Sequence, residues 1–317
     1  MEKLKQQFLE VSDALELGNP AIIEKDYWVV ALLAELAKVS LVYHQMVFSG
    51  GTALAKSNVK ILRMSEDVDI KLIPKPAFEE LTRAKKKAAR KAYINKVEQA
   101  ISLSERFTVE TRLVRDEYRY IELELRYLQQ FSQAPCLRPI IKLELMETIP
   151  LLDVEARSIQ SLVSELYKQP QEVEAFDCVS IHATLVEKVI SMLRRTMSAK
   201  RCAERKDDAT LVRHIYDVYC ILKSEDQKES LDLKALTPLF KIVLEEDIER
   251  FGNQHAEFVS NPKQELQLGL KELEENPVFR QRFNDFVTPM VFNTEPHDFD
   301  TCFASFRNVT ELLITTI

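Results

Sequence analysis

Met46-Val47-Phe48-Ser49-Gly50-Gly51-Thr52-Ala53-Leu54-Ala55-Lys56, followed at short range by Ser65-Glu66-Asp67-Val68-Asp69-Ile70-Lys71-Leu72, decides how the rest of the chain is read. The first run is apolar up to a glycine pair and then turns to small residues that can start a helix: a strand, a tight turn and a helix N-terminus. Such a start offers unpaired N–H groups and a positive dipole end, and glycines let the backbone approach a phosphate closely. The chain has 5 glycines in 317 residues, far below the usual ~7 %, so an adjacent pair marks a place where the backbone needs them. Read as a strand, the second run puts Asp67, Asp69 and Lys71 on one face and Val68, Ile70 and Leu72 on the other. Carboxylates two residues apart on one strand face lie roughly 6.5–7 Å apart at the backbone. They can converge on Mg²⁺, a hard cation that takes carboxylate oxygens and keeps positions for substrate phosphates.

Working outward on the N-terminal side, residues 2–17 read as an amphipathic helix. Asn19-Pro20 reads as an N-cap with Pro at the first helical position, opening a helix to about Lys38. Ile23, Tyr27, Val30 and Leu33 form its apolar stripe. Glu24, Lys25 and Asp26 have two readings: a solvated first turn, or a place for Lys25 or Asp26 near a nucleotide. On the C-terminal side, Pro74 and Pro76 break the chain before a helix over 76–102. Strands are expected over 107–113, 119–127 and 137–146. Ile121, Leu123, Leu125 and Tyr127 alternate cleanly with polar residues, and Ile141, Leu143 and Leu145 alternate with Lys142 and Glu144. One apolar and one polar face per strand suits a sheet with helices on one side and an open cleft on the other. Residues 147–179, with Pro150, Pro170 and an acidic, Ser-bearing stretch, read as a linker holding a short helix. From Ser180 the pattern is helical: 181–197, 208–223, then near 232–250, 262–275, 277–287 and 298–315.

Composition bounds the answer. The chain is long enough for one large domain or two ordinary ones, and 46% hydrophobic with 29% charged residues is ordinary for a soluble globular protein. The longest apolar stretches, such as Tyr27 to Ala34, are too short to span a bilayer, and no secretory leader pattern opens the chain. The 5 cysteines (Cys136, Cys178, Cys202, Cys220 and Cys302) have no Cys-x-x-Cys spacing, which points to reduced thiols and a cytoplasmic location rather than to zinc. A net charge of −7 argues against a protein coated in nucleic acid. The basic residues are nonetheless clustered, in Arg83, Lys85, Lys86, Lys87, Arg90, Lys91 and Lys96 and again in Arg194, Arg195, Lys200, Arg201, Arg205 and Lys206. Backbone tracking of nucleic acid and solvated helix faces are both open to these runs.

The strand–Gly-Gly–helix layout with Asp-x-Asp resembles the DNA polymerase β-like nucleotidyltransferase superfamily. Phe48-Ser-Gly-Gly-Thr-Ala-Leu-Ala-Lys56, Arg63-Met-Ser-Glu-Asp-Val-Asp69, Ile23-Glu-Lys-Asp-Tyr-Trp-Val29 and Arg213-His-Ile-Tyr-Asp-Val-Tyr219 together look like the AbiEii/AbiGii family. That family contains the nucleotidyltransferase toxins of type IV toxin–antitoxin systems. The resemblance runs from about residue 20 to about residue 220, with the motifs in order. It implies an α+β fold: a polymerase β-like domain over 1–150, with a mixed sheet and helices on one side, then a mainly helical domain over 151–317 that completes the nucleotide cleft. It also implies a third carboxylate beside the Asp-x-Asp strand, for which Glu144 is chosen, with Glu122 and Glu124 as rivals. Lys188 is expected to reach the nucleotide phosphates and Asp217 to be functional by holding Lys188 or Arg213, although Arg213 and Asp217 also suit an ordinary i,i+4 ion pair. His214 reads better as a packed residue than as a base.

The chemistry so implied is transfer of a nucleoside monophosphate from an NTP to an acceptor hydroxyl. Asp67, Asp69 and Glu144 would hold Mg²⁺ or Mn²⁺, while Gly50, Gly51, Thr52, Lys56 and Lys188 would bind the nucleotide. The implied acceptor is RNA, in particular a tRNA 3′ end, and the implied partner a cognate antitoxin regulator; a membrane is not expected. A protein hydroxyl, a small-molecule acceptor, or a catalytically inactive nucleotide-binding protein are the alternatives.

Overall fold

A computed structural model describes residues 2–59, 61–65, 67–132, 137–148, 153–202, 204, 207–224, 233–291 and 297–317. These described residues condense into two compact units, one within 1–57, 64–150 and 154–179, the other within 58–63, 151–153 and 180–317.

The first unit carries α1 (Glu2–Ala14), α2 (Pro20–Ala37), β1 (His44–Ser49), α3 (Gly50–Ala55), β2 (Asp67–Pro74), α4 (Pro76–Glu79) and α5 (Arg83–Leu103). It continues with β3 (Phe107–Arg115), β4 (Tyr120–Tyr127), β5 (Ile141–Glu147), β6 (Val154–Ile159), α6 (Leu162–Leu166) and β7 (Val173–Val179). The Asn19 side chain accepts the Ala21 N–H at 2.9 Å, so the cap legible in the sequence starts α2 as expected. The expected single helix over 76–102 is instead two, because Thr82 leaves the helical conformation and caps a new start at Arg83.

Among the described residues the strands form one seven-stranded mixed sheet in the order β3-β4-β5-β2-β1-β7-β6. β2 runs antiparallel to β1 and parallel to β5, and β4 runs antiparallel to β5. Val68, Ile70, Leu72, Ile121, Leu123, Leu125, Leu143 and Leu145 turn to one face, where they join Val29, Leu32 and Leu33 of α2 and Ile94, Val97 and Ile101 of α5 in one core. Arg90 ties α5 to the sheet: its guanidinium donates to Glu147 at 2.7 and 2.6 Å, and His44 meets the same carboxylate at 3.0 Å. Burial alone would raise the Glu147 carboxyl, but these partners outweigh it and hold it down at about 2.

The segment 147–179 corrects the linker reading. β7 pairs parallel with β1 through Phe48 and Cys178, and β6 pairs antiparallel with β7 at the sheet edge. Most side chains of β6 are exposed or half-exposed, and an edge strand built that way shows no apolar alternation for a sequence reading to find.

The second unit is helical: α7 (Ile181–Arg201), α8 (Arg213–Lys223), α9 (Leu233–Phe251), α10 (Ala256–Ser260), α11 (Pro262–Glu275), α12 (Pro277–Met290) and α13 (Phe299–Ile314). Ser180 caps α7 by accepting the Ala183 N–H at 3.1 Å. α7 is the hub, burying Leu185, Val186, Val189, Ile190, Met192 and Leu193. α11 crosses it so closely that a Cβ on Gly269 would stand 2.9 Å from the Leu193 carbonyl oxygen. Among the described residues Cys178, Cys202, Cys220 and Cys302 are free thiols, Cys136 lying outside them, and no helix is long and apolar enough to cross a membrane.

Candidate active site

β1 delivers its last residue, Ser49, directly opposite Asp69 of β2, and the chain then turns into the six-residue α3. The turn is made by Gly50 at φ +78°, a left-handed conformation that L side chains rarely adopt. Space is the second reason for glycine there: a Cβ at Gly50 would stand 2.0 Å from Asp69 Oδ2. The Asp69 carboxylate is therefore seated against the bare backbone of the turn. The Ser49 hydroxyl donates to the Asp69 carbonyl at 3.1 Å. The Thr52 hydroxyl, expected at a phosphate, donates to the Asp67 carbonyl and lies 3.0 Å from Ser65 Oγ, so it braces α3 against the start of β2.

Residues paired across neighbouring strands project to the same face. Asp69 pairs with Glu144, and Glu144 with Glu122; Asp67 pairs with Lys142, and Lys142 with Glu124. With strands ~4.8 Å apart, Glu144 is one strand from Asp69, whereas Glu122 and Glu124 are two strands from β2. In that register Glu144, the choice made from the sequence, lies nearer to Asp69 than its rivals Glu122 and Glu124. Lys142 bridges Glu144 and Glu122, the latter at 2.9 Å, and Tyr120 donates to Glu122 at 2.8 Å. Burial alone would lower the Lys142 ammonium, but its two carboxylate partners outweigh that and raise it. Asp67 is met by Arg138, a residue no sequence motif singles out.

The row is an all-oxygen donor set facing away from the core. Among the described residues no three His, Cys, Asp or Glu side chains are gathered closely enough to hold a metal ion by themselves. Two aspartates on one strand face, with phosphate oxygens to complete the shell, is nonetheless the donor chemistry Mg²⁺ accepts, and the bare Gly50 backbone is what admits the Asp69 carboxylate to the turn.

Other expected residues turn inward. Glu24, Lys25 and Asp26 are neither solvated nor open: their relative exposures are 1%, 0% and 9%. Glu24 accepts the N–H groups of Gln130 at 2.7 Å and Phe131 at 3.3 Å. Lys25 donates to the carbonyls of Arg138 at 2.9 Å and Ile140. Asp26 accepts the Leu162 N–H at 2.8 Å and pairs with Lys56, which also donates to the Gln160 carbonyl at 3.0 Å. Lys56, expected at the nucleotide, is thus engaged in bracing the fold.

The second unit gathers its own polar cluster. The Arg63 guanidinium grips Asp217 bidentately at 2.6 and 2.6 Å, and Lys188 of α7 donates to Asp217 Oδ2 at 2.7 Å. Asp217 is fully buried, and Arg63 and Lys188 nearly so. Burial alone would raise the Asp217 carboxyl; the Arg63 and Lys188 charges and hydrogen bonds outweigh it and hold it well below the usual carboxylate range. Of the two expected partners, Lys188 is held by Asp217, and Arg63 takes the place read for Arg213. His214, half-buried on α8, is pushed well below its ordinary value by burial first and then by the charges of Lys188 and Arg213.

The basic runs are matched by acids in part. Arg83 pairs with Glu117, Lys86 with Glu79 and Arg90 with Glu147. In the second run Arg194 pairs with Asp247, Arg195 with Asp208, Lys200 with Glu272 and Arg201 with Glu265, while Arg205 and Lys206 lie outside the described residues. Glu66 of the Asp-x-Asp approach lies outside them too. α5 packs on the apolar face of the sheet, so its exposed Lys85, Lys87 and Lys91 are on the side away from Asp67 and Asp69.

Compared with known protein families, residues 31–305 match the family described as nucleotidyl transferase AbiEii toxin, type IV TA system. A comparison with curated protein sequences finds no match. Among solved structures, MenT4, a nucleotidyltransferase toxin from Mycobacterium tuberculosis H37Rv, is similar over 96% of this chain and 89% of that chain, with a TM-score of 0.54 at 16% sequence identity. At that identity the likeness is one of fold.

Proposed function

The chain belongs to the AbiEii family of nucleotidyltransferase toxins of type IV toxin–antitoxin systems, and from that premise we propose that it transfers a nucleoside monophosphate from an NTP to an RNA hydroxyl, releasing pyrophosphate. The observation that carries the proposal is the Asp69 carboxylate seated on Gly50, with Asp67 two residues away on the same strand face and Glu144 beside it. Asp67 and Asp69 would hold Mg²⁺ or Mn²⁺, with Glu144 as the nearest further carboxylate. When bound, the cation supplies charge that lowers the pKa of the attacking hydroxyl and steadies the leaving phosphate. Backbone N–H groups at Gly50, Gly51 and Thr52 receive phosphate oxygens. Lys142 limits repulsion between Glu144 and Glu122 beside the aspartates. In the second unit Lys188 is the residue read for the triphosphate, and Asp217 the one that fixes its ammonium.

The family implies a nucleotide substrate and a cognate antitoxin. A tRNA 3′ end is the acceptor proposed, and the cytoplasm the location. The α5 lysines do not support the acceptor assignment directly, since they lie on the other face of the sheet. Incubation with each α-labelled NTP and total RNA tests the whole reading. Label is expected in RNA of tRNA size, with pyrophosphate released in step. Label confined to the protein or to small molecules would move the acceptor elsewhere, and no pyrophosphate with any NTP would remove the enzyme.

Gly50→Ala tests the seat. The new Cβ must displace the Asp69 carboxylate, and misplacing a reacting group by about 1 Å can cost roughly 10²-fold in rate. The strained backbone adds about 1–3 kcal/mol of instability. Transfer should therefore fall by about two orders of magnitude while the melt stays cooperative. Parent-level turnover in this variant would show that the close approach of Asp69 to the turn has no functional part.

A further inference from the structure

Arg138 lies just before β5, in a stretch whose backbone is held by side chains from elsewhere in the unit. The carbonyls of three successive residues are gripped: Arg138 by Lys25 at 2.9 Å, Pro139 by Gln129 at 3.1 Å, and Ile140 again by Lys25. Pro139 has no N–H to give a strand ladder, and the stretch is held through its carbonyl oxygens instead. Lys25 is wholly buried, with its ammonium also 5.4 Å from the Tyr127 ring centroid. Burying a lysine is costly unless its charge is met, and here backbone carbonyls of the Arg138 stretch meet it.

From this anchored backbone the Arg138 side chain, 44% exposed, reaches out to Asp67, which is 23% exposed. The two ends differ in character: the main chain is clamped, while the long side chain stands at the surface with donors in a planar fork. A guanidinium fits a phosphate as well as it fits a carboxylate. Asp67 is also one of the two carboxylates read above as metal ligands.

We propose that Arg138 and a divalent cation are alternative counter-charges for the Asp67 carboxylate, that Arg138 transfers its hydrogen bonds to the nucleotide's phosphates when the cation takes Asp67, and that Lys25 is the positioning residue that aims it. This deepens the nucleotidyltransferase reading and rests on it. The device makes metal and nucleotide binding interdependent: the cation alone must compete with Arg138, whereas a cation arriving with a triphosphate gives the displaced guanidinium a new oxyanion.

The test is Mn²⁺ binding to the full chain without nucleotide, read from the electron paramagnetic resonance signal of free Mn²⁺, alongside binding of a non-hydrolysable NTP analogue in saturating Mn²⁺. In Arg138→Gln the ion alone should bind about threefold to tenfold more tightly than in the parent, the range set by loss of one half-exposed competing charge. The analogue should bind about tenfold more weakly, a change of opposite sign that a merely structural ion pair would not produce. Arg138→Lys should keep most of the competition for Asp67 and recover only part of the analogue binding. Lys25→Met, if it melts like the parent, should move both affinities in the direction of Arg138→Gln; if it does not fold, the two Arg138 variants decide alone. Unchanged Mn²⁺ affinity in Arg138→Gln overturns the competition, and unchanged analogue affinity overturns the hand-over to phosphate. Asp69→Asn separates this inference from its premise: if that variant binds Mn²⁺ like the parent both with and without the analogue, the metal reading itself falls.

Discussion

Asp67→Asn and Asp69→Asn are each expected to lower nucleotide transfer by about 10³-fold or more, roughly 4 kcal/mol of transition-state stabilisation, with little change in melting temperature. The activity loss follows from chemistry: an amide keeps the shape of the carboxylate but not the charge a hard cation needs. The small stability change follows from position, since both side chains are half-exposed at the start of β2 and not among the core residues of its other face. The Ser49 hydrogen bond to Asp69 is made to the backbone carbonyl and survives the substitution. Asp69→Asn should be the more severe, because Asp69 is the residue against the glycine turn and opposite Glu144. Glu144→Gln should come next, and Glu122→Gln, one strand further out, should matter least. Steady-state transfer assays across the four variants, with melting curves, check the order. Transfer by a doubly substituted Asp67→Asn/Asp69→Asn protein at anything near the parent rate would rule out this site.

The second large effect is on stability. Asp217→Ala should cost about 3–5 kcal/mol, the usual loss when one partner of a buried ionic cluster is deleted, because the guanidinium of Arg63 and the ammonium of Lys188 stay buried without the carboxylate they share. Asp217→Asn retains a hydrogen-bond acceptor and should lose less. The pH dependence has a definite sign. The folded-state carboxyl lies below its ordinary value of 3.8, so its contribution is fully present above that value and fades as the pH falls below it. The parent's advantage over Asp217→Ala in urea melts should thus be flat near neutrality and shrink below about pH 4. An alanine variant as stable as the parent at pH 7, or an advantage that grows in acid, would contradict the buried cluster.

The aspartates on β2 and the glycine turn before them are legible in a short stretch, because a strand's two-residue alternation and a glycine's tolerance of positive φ are local properties of the backbone. The caps at Asn19 and Ser180 are legible for the same reason. Arg63 is a different matter: it stands beside the Asp-x-Asp motif in sequence, yet its partner is Asp217, far along the chain. Arg213, four residues from Asp217 on one helix, looks the natural partner when only helical spacing is available. Lys25 and Asp26 show the opposite error: α2 starts at Pro20, so they stand beyond its first turn, and partners distant in sequence, Arg138 and Ile140 for Lys25 and Leu162 and Lys56 for Asp26, meet them where solvent was expected.

The amino-acid sequence by itself determined the nucleotidyltransferase family, the alternating strands, the polar face that carries Asp67 and Asp69, and the helical character of the second half. Each of these follows from local backbone geometry or from contiguous motifs. The tertiary structure alone decided that Glu144 rather than Glu122 lies next to Asp69, that Arg138 reaches Asp67, that Arg63 joins Lys188 on Asp217, and which residues of the basic runs are met by acids. Those outcomes depend on strand register and on partners distant in sequence, and periodicity along a chain says which way a side chain points without saying what it will meet.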